Sequence, residues 1–566
     1  MFQRSITLFL CLCTVFAGPA VAQSLIFADS FERAGGAFTR AAASRLLHRA
    51  TFGPTMAEID RVTRLGAAAW IDEQLTLPVT WTRRGFEPLA QRNLEGCLAE
   101  GSTDCEPHLL PGDRYNIWWQ TVLEAPDQLR QRVAFALSQI LVVSDRGDPL
   151  ADEVEAMAAY YDLLLTHAFG NYRALLEDVS RSPVMGAYLT HLGNRRAVPE
   201  LNIRPDENYA REVMQLFTIG LNQLNLDGSQ MLDQAGNTII TYRQPDIAAM
   251  ARVFTGWTFG SISCENFEIP FEIPEELDFI RPMRACSTYH DTQAKTIING
   301  ITLPPNQTPE ADLGQALDAL FSHPNVGPFV TRRLIQRLVT SNPSPAYIAR
   351  VAGVFNNNGS GVRGDLGAVV KAILLDPEAQ AGADANPAFG KLREPLLRLS
   401  NLWRTFAGRS ASGQFYDYEE PEGQAVLSAP SVFNFFLPDY QPAGLRGSSP
   451  SLVAPEFQLA SDDKLTANQN AMDYTCRFLI AGAPWAAEDF GPESVLIHPI
   501  EELALARDPD ALLARIDLLL LGGSMSPGLR GALVSRLAQM TEDSPHERLG
   551  EVLAHVFTSP EYLIQR

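Results

Sequence analysis

Apolar residues recur at spacings of three and four in one segment after another, and that period constrains the fold of this chain more than any other feature. Val133, Leu137, Ile140 and Leu141 mark one such stripe between Leu129 and Val143, and a second runs from Glu153 to Phe169. A 3.6-residue period gathers these side chains on one face of an α-helix. Strict alternation, the mark of a half-buried strand, is scarce. Its best instance is Thr238 to Tyr242 after the turn-like Asp233-Gln234-Ala235-Gly236-Asn237, which predicts one small β-hairpin rather than a sheet. The chain therefore reads as mainly α.

Helix boundaries are written in the same residues. Helix-forming composition runs from Ala41 to Ala50, and Thr55 with Glu58 three residues later forms a capping-box start for a helix that Gly66 ends. A further helix carries Trp70, Ile71 and Leu75. Two distant stretches look alike: Leu366 to Glu378 and Leu549 to Glu561 each read as an amphipathic helix stopped by proline. Two copies with a loose match favour a recurring packing solution over a repeat array, which needs at least three units for stability. A Pro-, Glu- and Cys-rich insertion at 261–289 breaks the helical rhythm, and a Pro/Gly/Ser-rich segment from Pro438 to Pro455 is a second irregular stretch.

At the N-terminus, Arg4, the apolar run Ile6 to Ala17 and the Ala20-Val21-Ala22 box have the organisation of a secretory signal peptide over 1–22, followed by a leader over 23–39. The apolar run is shorter than the roughly 20 residues that span a bilayer, and no later stretch spans one. The expected mature protein is secreted or periplasmic, released rather than anchored, with its helical domain at 40–566. Five cysteines then enter an oxidising compartment. Cys97 and Cys105 flank a polar turn, and Cys264 and Cys286 bracket the insertion, so Cys97–Cys105 and Cys264–Cys286 are the expected disulfides, each worth roughly 3 kcal/mol in a chain-entropy picture. Cys476 remains, and reads as a buried thiol before a nucleophile. With 66 acidic against 45 basic residues the net charge is −21 and no basic cluster offsets it, which argues against nucleic acid as a partner. An apolar fraction of 46% is that of a globular protein, and this length holds one large core or several smaller ones.

Chemistry concentrates between Asn202 and Asp246. Pro205, Asp206 and Glu207 suit the start of a helix and Gly220 its end. On that helix Asn208, Arg211, Glu212 and Gln215 fall at i, i+3, i+4 and i+7 and share one face. Asp246 opens the next helix; His290, Asp291 and Lys295 follow later. Glu212, Asp246 and His290 have the chemistry to bind a cation or act as acid and base, with Arg211 and Lys295 meeting an anionic group, Asn208 and Gln215 adding ligand contacts, and Asp291 beside the histidine. The competing reading is structural: Arg211 and Glu212 tie helices together, Asp227 and Asp246 cap turns and helices, and His290 donates to a carbonyl. Sharper motifs fail. Gly359 to Gly364 fits a dinucleotide pattern but follows a helical segment where a strand is required, and Asn225 to Gly236 imitates a calcium loop with its glycine misplaced and no closing glutamate.

Arg45-Leu46-Leu47-His48-Arg49-Ala50-Thr51-Phe52-Gly53-Pro54, Glu207 through Leu221, Gly256-Trp257, His290-Asp291 with Lys295, and Pro430 through Phe436 with Pro438-Asp439-Tyr440 resemble the bacterial family catalogued as domain of unknown function eighteen hundred. The resemblance runs from about Arg40 to the C-terminus, which favours one unit and hence a large multi-helix, single-core fold with one hairpin and irregular insertions. It implies a secreted or periplasmic protein encoded beside a second one that looks like the sulfatase and alkaline-phosphatase class. Many members carry histidine where this chain has Phe217, so His290 is the best remaining histidine. The expected function is partner or accessory to that co-encoded enzyme; the alternative is a periplasmic hydrolase or metal-assisted enzyme using the Arg/Glu/His/Asp cluster. Metal and cofactor stay open.

Overall fold

The computed structural model describes residues 38–103, 105–267, 277–415, 423–447, 451–485 and 490–566. The signal-peptide reading, most of the leader and the middle of the 261–289 insertion lie outside the described residues. Helices begin where short polar side chains cap them. Thr39 caps α1 (Arg40–Ala50) and Thr55 caps α2 (Met56–Leu65), its hydroxyl accepting from the Glu58 N–H at 3.3 Å. Gly66 closes α2 at φ +81°, where a glycine carries no steric penalty. All eleven residues of α3 (Gln128–Ser138) are buried, and α4 (Val154–His167) packs beside it. Around these, one continuous apolar cluster extends from Ala43 to Tyr562, so both ends of the described chain contribute to a single large core.

Helices α5 (Asn208–Gln215) and α6 (Gln244–Val253) lead into the small β elements. Strand β1 (Trp257–Thr258) pairs antiparallel with β2 (Arg284–Ala285), and β3 (Lys295–Thr296) with β4 (Thr302–Leu303). Then come α7 (Pro309–Ser322), α8 (Val326–Leu338), α9 (Pro345–Asn356) and α10 (Leu366–Leu375). Strand β5 (Lys391–Leu392) pairs with β6 (Ile564–Gln565), and Gln565 Nε2 donates to the carbonyls of Leu338 and Val339 at the end of α8. The C-terminus is thereby stitched to the middle of the chain. The expected hairpin turns at 233–237, with the Asp233 N–H donating to the Asn237 carbonyl, the Ile239 N–H to the Met231 carbonyl, and antiparallel bridges joining Leu232 with Thr238 and Asn222 with Ile240, while two-residue ladders form in three further places. Those ladders are two residues long, too short for any alternation to show.

Disulfides Cys97–Cys105 and Cys264–Cys286 are both present, and Cys476 is free and fully buried. The likeness between the two proline-stopped helices extends to their hydrogen bonds. Glu378, after α10, accepts from the N–H and hydroxyl of Ser344, the cap of α9. Glu561, after α12 (Pro545–Phe557), accepts in the same way from Ser526, the cap of α11 (Pro527–Gln539). In each pair a carboxylate following the second helix ties down the cap of the first, a packing solution used twice.

Candidate functional site

The residues singled out on α5 form a surface-graded set. Helix α5 starts three residues after Pro205 because the Asp206 carboxylate accepts from the Asn208 N–H at 2.8 Å and holds the chain in a turn first. Asn208 is exposed and reaches Thr190. Arg211 pairs with Glu207 at 3.2 Å, and Gln244 Nε2 donates to the same carboxylate. Glu212 differs: it is buried, and its Oε2 has no hydrogen-bond partner. Burial raises its carboxyl above the ordinary value, against the pull of Arg211. Gln215 accepts from the Tyr242 hydroxyl at 3.3 Å. Asp246 caps α6, accepting from the Arg243 N–H at 2.7 Å.

Because Glu212 is harder to ionise folded than unfolded, its charge detracts from stability above the ordinary carboxylate range. Glu212→Gln is therefore expected to stabilise the protein at pH 7, with the gain shrinking as pH falls towards 4.5. Thermal unfolding at pH 7 and pH 5 checks this; a destabilised variant at pH 7 would mean the carboxylate has a partner.

His290, Asp291 and Lys295 belong to a second, sealed group. His290 lies against Gly256, which has φ +82° and where a side-chain Cβ would come within 3.0 Å of the histidine Cβ. Its Nδ1 stands 2.8 Å from the Thr255 carbonyl and its Nε2 2.9 Å from Asp312 Oδ2. Lys295 Nζ reaches the same Asp312 oxygen at 2.5 Å and donates to the carbonyls of Asp291 and Gln293. Arg252 grips Asp291 with two parallel hydrogen bonds of 2.9 and 2.8 Å. His290 and Asp312 are 0% exposed and Lys295 1%. Burial pushes Asp312 upwards, but the hydrogen bonds from His290 and Lys295 together outweigh it and hold the carboxyl below its ordinary value. Asp312, on the first turn of α7, is the centre of this cluster and was missed by sequence reasoning. Among the described residues, no hydrogen bond or ion pair joins this group to Glu212, Gln215 or Asp246.

An open concavity lies elsewhere. A groove of about 280 Å³ runs between α8 and the 433–439 segment, with Gln215 of α5 and Leu216 just after it on one wall. A recess of about 40 Å³, lined by Arg337, Gln139 and Asn434, shares Leu216, Arg333, Phe433 and Leu437 with it. Gly220, five residues past the end of α5, lets the chain turn here: at φ +67° it passes so close to Phe329 that a Cβ would meet the ring at 2.6 Å. Arg332 and Arg333 line the outer groove and Arg337 the recess. Arg333 lies 3.3 Å over the Phe329 ring and Arg337 4.3 Å over Phe436. Burial, with Arg332 and Arg337 alongside, pulls the Arg333 guanidinium down to about 9. Of the residues proposed from sequence, Gln215 alone lines this groove.

Residues 359–364 form the loop between α9 and α10, with Asn358 Oδ1 accepting from the N–H groups of Ser360 and Val362. Asp227 and Asp233 accept from the backbone of their own turns. Among the described residues, no three His, Cys, Asp or Glu side chains gather as a metal-ligand set, and no helix is long and apolar enough to cross a membrane.

Fold and groove together define a mainly α-helical, disulfide-bonded protein with one large core and an arginine-lined cleft. The model of the family described as "Protein of unknown function (DUF1800)" matches residues 45–564, and the chain belongs to that family. No curated protein and no solved structure matches it.

Proposed function

We propose that this chain is a non-catalytic extracytoplasmic protein, secreted or periplasmic after removal of its signal peptide, that serves as partner or accessory to a co-encoded enzyme of the sulfatase and alkaline-phosphatase class. The observation that carries the reading is the closure of the His290, Asp312 and Lys295 group: the best acid-base set in the chain has no exposed atom to offer a substrate. The two disulfides fit an oxidising compartment. In this reading the accessory brings a surface and a groove, and the enzyme brings the chemistry.

Tagged chain purified at native expression levels should bring down the co-encoded enzyme in stoichiometric amount. Recovery of the chain alone from cells that express both would sink the proposal. His290→Ala should lower the melting temperature while leaving the metal content and native mass of the mature protein otherwise unchanged, measured by elemental analysis and native mass spectrometry without chelators. A metal lost with the imidazole would move the reading to a metal-assisted enzyme. The buried Glu212, whose carboxyl burial raises above its ordinary value, favours a second reading, a hydrolase that uses it as general acid. That reading requires ester hydrolysis by the isolated protein that Glu212→Gln abolishes.

A further inference from the structure

We propose that the groove between α8 and the 433–439 segment is a binding site for an organic phosphate monoester, with the phosphate in the recess at Arg337 and the organic part against Phe433 and Leu437. This goes beyond the accessory reading and stands or falls separately from it.

The recess holds donors that the fold leaves unused. Arg337 is 3% exposed, yet its Nε and Nη1 are buried without an acceptor. Asn434 Nδ2, 7% exposed and in the same recess, is unpartnered as well. An unmet charged donor at such depth is costly, and a ligand that accepts from these groups recovers that cost. Their geometry is prepared for that. Phe329 and Phe436 cover the flat faces of Arg333 and Arg337; Arg333 Nη1 donates to the Phe329 carbonyl at 3.3 Å, and among the described residues neither guanidinium pairs directly with a carboxylate.

Charge selects the ligand class. The connected cations are Arg132, Arg332, Arg333, Arg337 and Lys391; the carboxylates among them are Asp439, Glu394 and Glu456. Five against three leaves an excess of two positive charges, buried or half-buried, in a chain whose net charge is −21. A phosphate monoester is a dianion near neutral pH, whereas a sulfate monoester or a carboxylate carries one charge. A tetrahedral group also presents three terminal oxygens in different directions, matching guanidinium groups that arrive from two turns of α8. Phe433 and Leu437, 45% and 38% exposed at the rim, offer apolar surface to whatever bears the phosphate.

Titration calorimetry of the mature full-length protein with phenyl phosphate, phenyl sulfate and benzoate at fixed ionic strength tests this. Phenyl phosphate should bind saturably at one site, at least about tenfold more tightly than either monoanion. Arg333→Gln and Arg333→Ala, at the half-buried residue that lines both groove and recess, should each weaken phenyl phosphate by about tenfold or more with melting temperature retained, while Arg530→Gln, outside the groove, should not. Absence of saturable heat, equal affinity for the monoanions, or unchanged affinity in the groove variants would overturn the assignment. Copurification with an enzyme is read independently, so its failure leaves this result standing.

Discussion

Asp312→Ala is expected to cost the fold about 3–5 kcal/mol, the penalty of breaking a buried ion pair and leaving the other charge behind. Lys295 would keep two backbone carbonyls and a carboxylate oxygen 3.9 Å away, and His290 Nε2 would keep nothing. Asp312→Asn should cost less, because the amide oxygen still accepts from one of the two donors. Lys295→Met combined with Asp312→Asn should recover part of the loss by removing the stranded charge. The pH profile has a definite sign. The Asp312 carboxyl titrates below its ordinary 3.8 when folded, so its contribution is complete above that value and disappears as pH falls through the depressed folded one. Urea midpoints for wild type and Asp312→Ala should therefore converge in acid and separate at neutral pH. A constant difference across pH 3 to 7 would show that the carboxylate charge is not what holds this corner together.

That corner also shows where sequence reading stops. His290, Asp291 and Lys295 are close in sequence and were legible as a group, but the partner that His290 and Lys295 share sits on a helix after an intervening hairpin. Asp312 shares the first turn of α7 with Glu310, where an acid is ordinary near the positive end of a helix. Nothing local distinguishes a dipole-favoured surface carboxylate from one that is 0% exposed. The stripe on α5 reads in the sequence as a shared face, yet in the structure its members diverge: Arg211 stays at the surface, Glu212 goes inside, and Gln215 reaches the groove.

The arginines were missed for a different reason. Arg332, Arg333 and Arg337 fall on the polar side of an amphipathic helix, which by itself predicts solvent. What covers that side is the 433–439 segment, irregular and a hundred residues away, from Pro430 to Tyr440 in the family-like stretch. Its signal was present as three basic residues on one helix with no acidic residue between Val326 and Leu338. Helix ends, by contrast, were legible because capping is local: Thr55, Glu58 and Gly66 act within a few residues of themselves. Long-range pairing is what the sequence leaves unwritten.

Glu394→Ala should be at least as damaging as Asp312→Ala, and should damage the groove with the fold. Glu394 is fully buried and meets Lys391 at 3.2 Å, Gln139 Nε2 at 2.5 Å and Gln424 Nε2 at 2.7 Å. Burial pushes its carboxyl up, but Lys391, Arg132 and Arg337 together outweigh that and hold it below the ordinary 4.5. Removing it leaves Glu456 alone to balance three buried cations, so a loss of about 3–5 kcal/mol is expected, falling away in acid where wild type protonates the same group. Glu394→Gln keeps the shape and both glutamine contacts but still strands the charges, so most of the loss should remain. This separates charge from packing: if Glu394→Gln is as stable as wild type at pH 7 in urea unfolding, the network is held by hydrogen bonds alone. The groove adds a further consequence. A bound dianion supplies negative charge beside Arg337, so phenyl phosphate should raise the melting temperature of Glu394→Gln more than that of wild type, and a smaller rise would place the anion away from Arg337.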